Sequence, residues 1–175
     1  MDYQPECVGY RNLVSDIREA YKLKLKSIDL TKPTESTKKV ITFFNEFKKE
    51  LGHKKRTQYD KKGKGEFLYD ISWSIEDKNW EFKNPHYLDL VVESEWKDNW
   101  TEIATDFGKL LDSKAPIKIG ICKYKKGRIE KIKNMIKTYQ IKIPKEYYLI
   151  FLHDKEKVHD FLINNKGGCF QDESA

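Results

Sequence analysis

The stretch that most restricts what this chain can fold into runs from Tyr87 to Cys122. Leu90-Val91-Val92 would be apolar on both faces of a strand, and Glu93-Ser94-Glu95 turns the end of that strand acidic. A strand without a polar face belongs inside a sheet covered on both sides, with charge gathered at the rim. An amphipathic helix follows over about Asn99 to Leu111, with Trp100, Ile103, Ala104, Phe107, Leu110 and Leu111 on one face. Lys114-Ala115-Pro116 ends it, and Ile117-Lys118-Ile119-Gly120-Ile121-Cys122 reads as the next strand. Strand, crossover helix, strand implies parallel pairing with a right-handed connection.

Upstream, Glu66 to Trp73 predicts a further strand. Pairing it with Tyr87–Trp96 as an antiparallel hairpin whose turn lies near residues 79–83 sets Asp70 roughly opposite Val92–Glu93. Glu93 and Glu95 share a face because strand residues alternate. Three carboxylates converging at one sheet end repel and raise one another's pKa, a cost that a hard divalent cation with oxygen ligands removes.

The remaining pattern completes an α/β chain. Helices are predicted over 8–26 and over about Ser36 to Leu51, the latter with Val40, Ile41, Phe43, Phe44, Phe47 and Leu51 inward. Residues 52–65 read as a basic loop or a short strand near Thr57–Tyr59. A basic helix is expected over about Gly127 to Tyr139, a buried strand over Tyr147–Leu152, and a last helix over Asp154–Asn164 using Val158, Phe161 and Leu162. The expected organisation is one domain, 1–175. It divides into a helical extension (1–35), a core (36–122), a helix-strand-helix completing the sheet (123–166) and a flexible tail (167–175). A chain of 175 residues suits one such domain.

Composition narrows the partners. No apolar run approaches the ~20 residues that cross a bilayer. Cys7, Cys122 and Cys169 show neither CxxC nor zinc spacing, which predicts free thiols, a reducing compartment and a cytoplasmic protein without membrane contact. The net charge of +6 is uneven. Lys54, Lys55, Arg56, Lys61, Lys62 and Lys64 crowd one interval, and a second run spans Lys118 through Lys145. Phosphate backbones are the common partner of such fields, and a solvated face is the plain alternative. The four histidines have no ligand spacing and read as surface residues.

The order helix, strand, strand, helix, strand, with an acid on one strand and E-x-E closing the next, resembles the PD-(D/E)xK nuclease core, the restriction-endonuclease-like superfamily. The resemblance covers about Ser36 to Cys122 and implies a central mixed β-sheet flanked by helices. It further implies a Mg²⁺-dependent nuclease, with Mn²⁺ as substitute, acting on DNA in preference to RNA. Asp70 matches the motif Asp, with Tyr69 in place of the usual Pro. Glu93 matches the (D/E), and Ser94 would offer its backbone carbonyl to the metal. Glu95 stands where Lys is commonest, as water-orienting residue or further ligand. Glu46 or Glu50 would be the helical acid, and Lys109 or Lys118 could supply the missing cation. The lysines of 54–64 with Arg56 would touch nucleic acid, and a homodimer is one assembly the resemblance allows. The competing expectation is an inactive relative that binds nucleic acid or protein.

Overall fold

In the computed structural model the residues described are 7–26, 28–50, 56–58, 69–74, 88–139, 146–166 and 169–172. The buried alkyl strand is β3 (Leu88–Glu95), and helix α3 (Trp100–Asp112) carries the chain over to β4 (Ile117–Lys123). Asn99 caps α3, its side chain accepting from the Thr101 amide at 3.0 Å. Helix α4 (Arg128–Thr138) makes the second crossover, to β5 (Tyr147–His153). Gly127 enters it with φ 77°, a left-handed conformation that favours glycine. β3, β4 and β5 are parallel neighbours.

Antiparallel strands extend this parallel centre on both sides. β2 (Ile71–Ser74) pairs with β3, and β1 (Arg56–Gln58) pairs with β2, so the basic segment does contribute a short strand. Beyond β5 come β6 (Val158–Lys166) and β7 (Cys169–Asp172). Among the described residues the sheet has seven strands in sequential order. The expectation of an α/β chain with a mixed sheet between helices is met.

Each face of the sheet has its own apolar cluster. Helices α1 (Cys7–Lys24) and α2 (Pro33–Glu50) cover one side, meeting Ile71, Trp73, Leu90, Val92, Ile119 and Phe151. α2 begins on Pro33, whose fixed φ suits a first helical turn. Tyr21 of α1 stacks on Phe151 with ring centroids 3.9 Å apart, so α1 belongs to the core rather than extending from it. Helices α3 and α4 cover the other side through Ile103, Phe107, Leu110, Ile132 and Ile136. Two right-handed crossovers progressing the same way across a sheet put their helices on the same face.

Two expectations are corrected. Residues 154–164 are not a helix: Asp154 N donates to Lys157 O at 2.9 Å, closing a tight turn, and β6 returns against β5. Val158, Phe161 and Leu162 have helical spacing, yet Val158 and Leu162 pack on the α1–α2 side while Phe161 and Ile163 face the other. A strand covered on both faces lacks the polar–apolar alternation that betrays a strand. Within the supposed tail, residues 169–172 form β7. His153 also departs from expectation; it is fully buried, with Tyr21 Oη 2.9 Å from its Nε2. Burial holds its pKa down to about 4. Among the described residues no helix is long and apolar enough to cross a membrane.

The fit of α3 on the sheet depends on one glycine. Gly120 lies in register with Glu93, and a Cβ there would come within 2.2 Å of the Phe107 ring. Gly120→Ala is expected to destabilise the fold by about 1–3 kcal/mol. Adding Phe107→Leu should recover part of that loss, and urea unfolding of the two variants measures both effects.

Candidate functional site

The chain places its acids through register. Ile71 pairs with Val92, so Asp70, one residue ahead of β2, arrives beside Glu93 and Ser94. Asp70 Oδ2 accepts two hydrogen bonds from Ser94, 2.9 Å from its amide and 2.6 Å from its hydroxyl. The Ser94 hydroxyl is 3.3 Å from Thr37 Oγ1 of α2, which accepts from the buried Trp96 indole at 3.0 Å. Strand alternation turns Glu93 the other way, toward α3, where only 4% of its surface is exposed.

On that side α3 supplies Asp106 and Lys109, one turn apart. Lys109 Nζ donates to Asp106 Oδ1 at 2.7 Å and lies 3.6 Å from Glu93 Oε1. Tyr69 borders the cluster, its hydroxyl donating to the Lys109 carbonyl at 3.3 Å. Glu93 Oε1 is buried without a hydrogen-bond partner among the described residues. Glu93 and Asp106 therefore share the Lys109 ammonium, and Asp70 lies beside them on Ser94.

The electrostatics follow from this arrangement. Burial pushes the Glu93 carboxyl up to about 9, and the neighbouring Asp70 charge adds to the effect; Lys109 opposes it. Burial also raises Asp70, against the pull of its Ser94 hydrogen bonds. Burial alone would lower Lys109, but Asp106 and Glu93 outweigh it and hold the ammonium above its ordinary value. Desolvation thus favours the protonated form of Glu93.

The expected site residues separate clearly. Asp70, Glu93 and Lys109 come together, and Ser94 joins them through its amide and hydroxyl. Glu95 sits at the rim, held by the Lys97 amide at 2.7 Å. Lys118 is elsewhere: fully buried, it donates to Glu146 at 2.6 Å, and Tyr148 donates to the other Glu146 oxygen at 2.8 Å. Glu46 and Glu50 are exposed on α2, Glu50 pairing with Lys24. Thr37 is the residue of α2 that reaches the cluster, and Glu46 lies nine residues beyond it, roughly 14 Å along the helix. Of the basic interval, Arg56 is described only as backbone in β1, and Lys54, Lys55, Lys61, Lys62 and Lys64 lie outside the described residues.

Thr37 is the member that sequence reasoning missed, and Asp106 is one that it set aside as a local cap or pair. Asp106 had one signal, its i,i+3 spacing from Lys109 on the flank of α3. Thr37 had none, because only the packing of α2 brings it to Ser94.

Two carboxylates on adjoining strands, one of them with an unsatisfied buried oxygen, suit a hard cation through oxygen donors. Asp106 reaches them only through Lys109, and among the described residues no three His, Cys, Asp or Glu side chains form a ready metal centre. The arrangement defines a class: a three-layer α/β protein with a desolvated acid pair and one lysine between sheet and crossover helix. Comparison with protein-family models, curated proteins and solved structures returned no match.

A pH dependence of stability follows. Glu93 has a folded pKa near 9 against an ordinary 4.5, so the native state binds the extra proton and stability falls as pH rises between those values. Glu93→Gln removes that slope. Thermal melts should coincide near about pH 5, and the variant should melt higher by at least about 3 °C at pH 8.

Proposed function

We propose that this chain is a Mg²⁺-dependent phosphodiesterase of the PD-(D/E)xK type, cutting nucleic acid and DNA in preference to RNA. The observation that carries the reading is the meeting of Asp70, one residue ahead of β2, with Glu93 of β3, whose Oε1 is buried without a hydrogen bond among the described residues, 3.6 Å from Lys109 Nζ. The α/β architecture, with a crossover helix joining two parallel strands directly after the acids, supports a restriction-endonuclease-like core.

Asp70, Glu93 and the Ser94 carbonyl would hold the ion. Bound there, Mg²⁺ supplies a water of lowered pKa and neutralises charge on the phosphoryl oxygens. The chain's own residues do the rest. Glu93 gives up its proton to become a ligand, so ion binding is coupled to proton release. The Ser94 amide and hydroxyl fix the orientation of the Asp70 carboxylate. Lys109, freed from Glu93, donates to the phosphate or the attacking water from the helix. It thereby takes the part that the motif assigns to its final Lys, a position where this chain has Glu95.

Cleavage of plasmid and single-stranded DNA with Mg²⁺ or Mn²⁺ tests this. Cutting should be abolished by Asp70→Ala and Glu93→Ala. Lys109→Ala should slow it by about 10²–10³-fold, the usual cost of removing one charge-stabilising donor. Cutting that survives Glu93→Ala in folded protein would refute the assignment.

One observation favours a second reading, a relative that binds without cutting. Asp70 is already satisfied by Ser94, and Lys109 already balances the acids without a metal ion. Absence of cleavage together with salt-sensitive nucleic-acid binding that survives both alanine changes would establish it.

A further inference from the structure

Beyond the acids, the same sheet face leads to an aromatic surface that the proposed chemistry does not use. Register aligns Glu95 of β3, Cys122 of β4, Leu152 of β5 and His159 of β6 in one cross-strand row. At the far end of that row the His159 ring is stacked by Tyr124, centroids 4.4 Å apart and planes 17° from parallel. Tyr124 is 41% exposed, and with Leu23 it makes up the exposed large apolar side chains among the described residues. Its amide donates to the His153 carbonyl at 2.7 Å, so the backbone beneath the ring is fixed.

The surroundings are cationic. The two segments that frame the ring, 123–128 and 153–159, carry Lys123, Lys125, Lys126, Arg128, Lys155 and Lys157 against Asp154 and Glu156. Asp98 is taken up by Lys125 and Arg128. Lys126, Lys155 and Lys157 are exposed and enter no ion pair with a described residue. An exposed ring in a net positive surround, with lysines unpaired among the described residues, has the two parts of a single-strand site: a stacking partner for a base and charge for the phosphates. A duplex keeps its bases stacked on each other and offers no free face to such a ring.

We propose that Tyr124, backed by His159, is a base-stacking platform for single-stranded nucleic acid, with Lys126, Lys155 and Lys157 contacting its phosphates. Three strand spacings separate His159 from Glu95, roughly 14 Å. At the roughly 3.4 Å rise of a stacked strand, that is about four nucleotides between the platform and the acidic rim. The inference rests on the proposed function for its class of partner, nucleic acid, and takes nothing from the cleavage chemistry.

Fluorescence anisotropy with fluorescein-labelled oligo-dT of twenty nucleotides, in EDTA, tests it apart from catalysis. Tyr124→Ala should weaken binding by about 5- to 150-fold, the range base–aromatic stacking spans on alanine substitution. Tyr124→Phe, which keeps the ring, should bind within about threefold of the parent chain. Lys126→Glu with Lys157→Glu should flatten the slope of log affinity against log salt by about 1.4. A blunt duplex of equal length should bind more weakly and ignore Tyr124→Ala. Unchanged binding by folded Tyr124→Ala, equal loss in Tyr124→Phe, or no binding of the oligonucleotide would each overturn the proposal. Cleavage measured separately with Mg²⁺ reports on the acid site, so the platform and the nuclease reading can fail independently.

Discussion

The structure turns on the burial of β3. A strand paired on both edges and covered on both faces cannot hydrate a side chain in its middle, and Glu93 stands where that cover is nearly complete. Everything around it answers this one desolvated carboxyl. Lys109 leans in from α3, Asp106 anchors Lys109, and Asp70 is held at the strand end by two hydrogen bonds from Ser94. Even Gly120, in register with Glu93, belongs to the arrangement, since its missing side chain leaves room for the Phe107 ring of α3. A desolvated acid with one distant ion-pair partner costs stability, and such groups cluster at functional sites as well as in structural ion-pair networks.

Two lysines on the α3 side show why placement matters more than type. Lys118 and Lys109 are similar candidates in the sequence. Lys118 is sealed into a satisfied pair with Glu146, bounded by Tyr148 and the Leu111 carbonyl, and has no remaining donor duty toward a ligand. Lys109 is a third exposed, shared between Asp106 and Glu93, and free to move when either acid finds another partner. A closed pair contributes to the fold; an overcommitted one is poised for exchange. That contrast puts the candidate site on the α3 flank.

Much of this was legible in the chain. Apolar residues at helical spacing placed α2, α3 and α4 within a few residues, and the alkyl runs placed β3, β4 and β5. The hairpin register that brings Asp70 to Glu93 follows from alternation along two strands. The helix expected over 154–164 is a strand because β6 packs apolar residues on both faces, which erases the period of two and leaves Val158, Phe161 and Leu162 looking helical. The same double burial hid His153, whose flanking charges suggest a surface that the fold never gives it.

What the sequence by itself determined is therefore local and periodic: the elements, the parallel crossover, and the acidic end of β3 with its partner one strand away. Those depend on steric alternation and on apolar spacing, which neighbouring residues encode directly. Only the tertiary structure decided which helical groups complete the cluster. Lys109 and Asp106 are in and Lys118, Glu46 and Glu50 are out because helix rotation and sheet coverage, set by contacts far apart in the chain, determine which side chains lose water together. The Tyr124–His159 stack belongs to the same category: residues 35 apart in sequence meet because β4, β5 and β6 align their ends in one row.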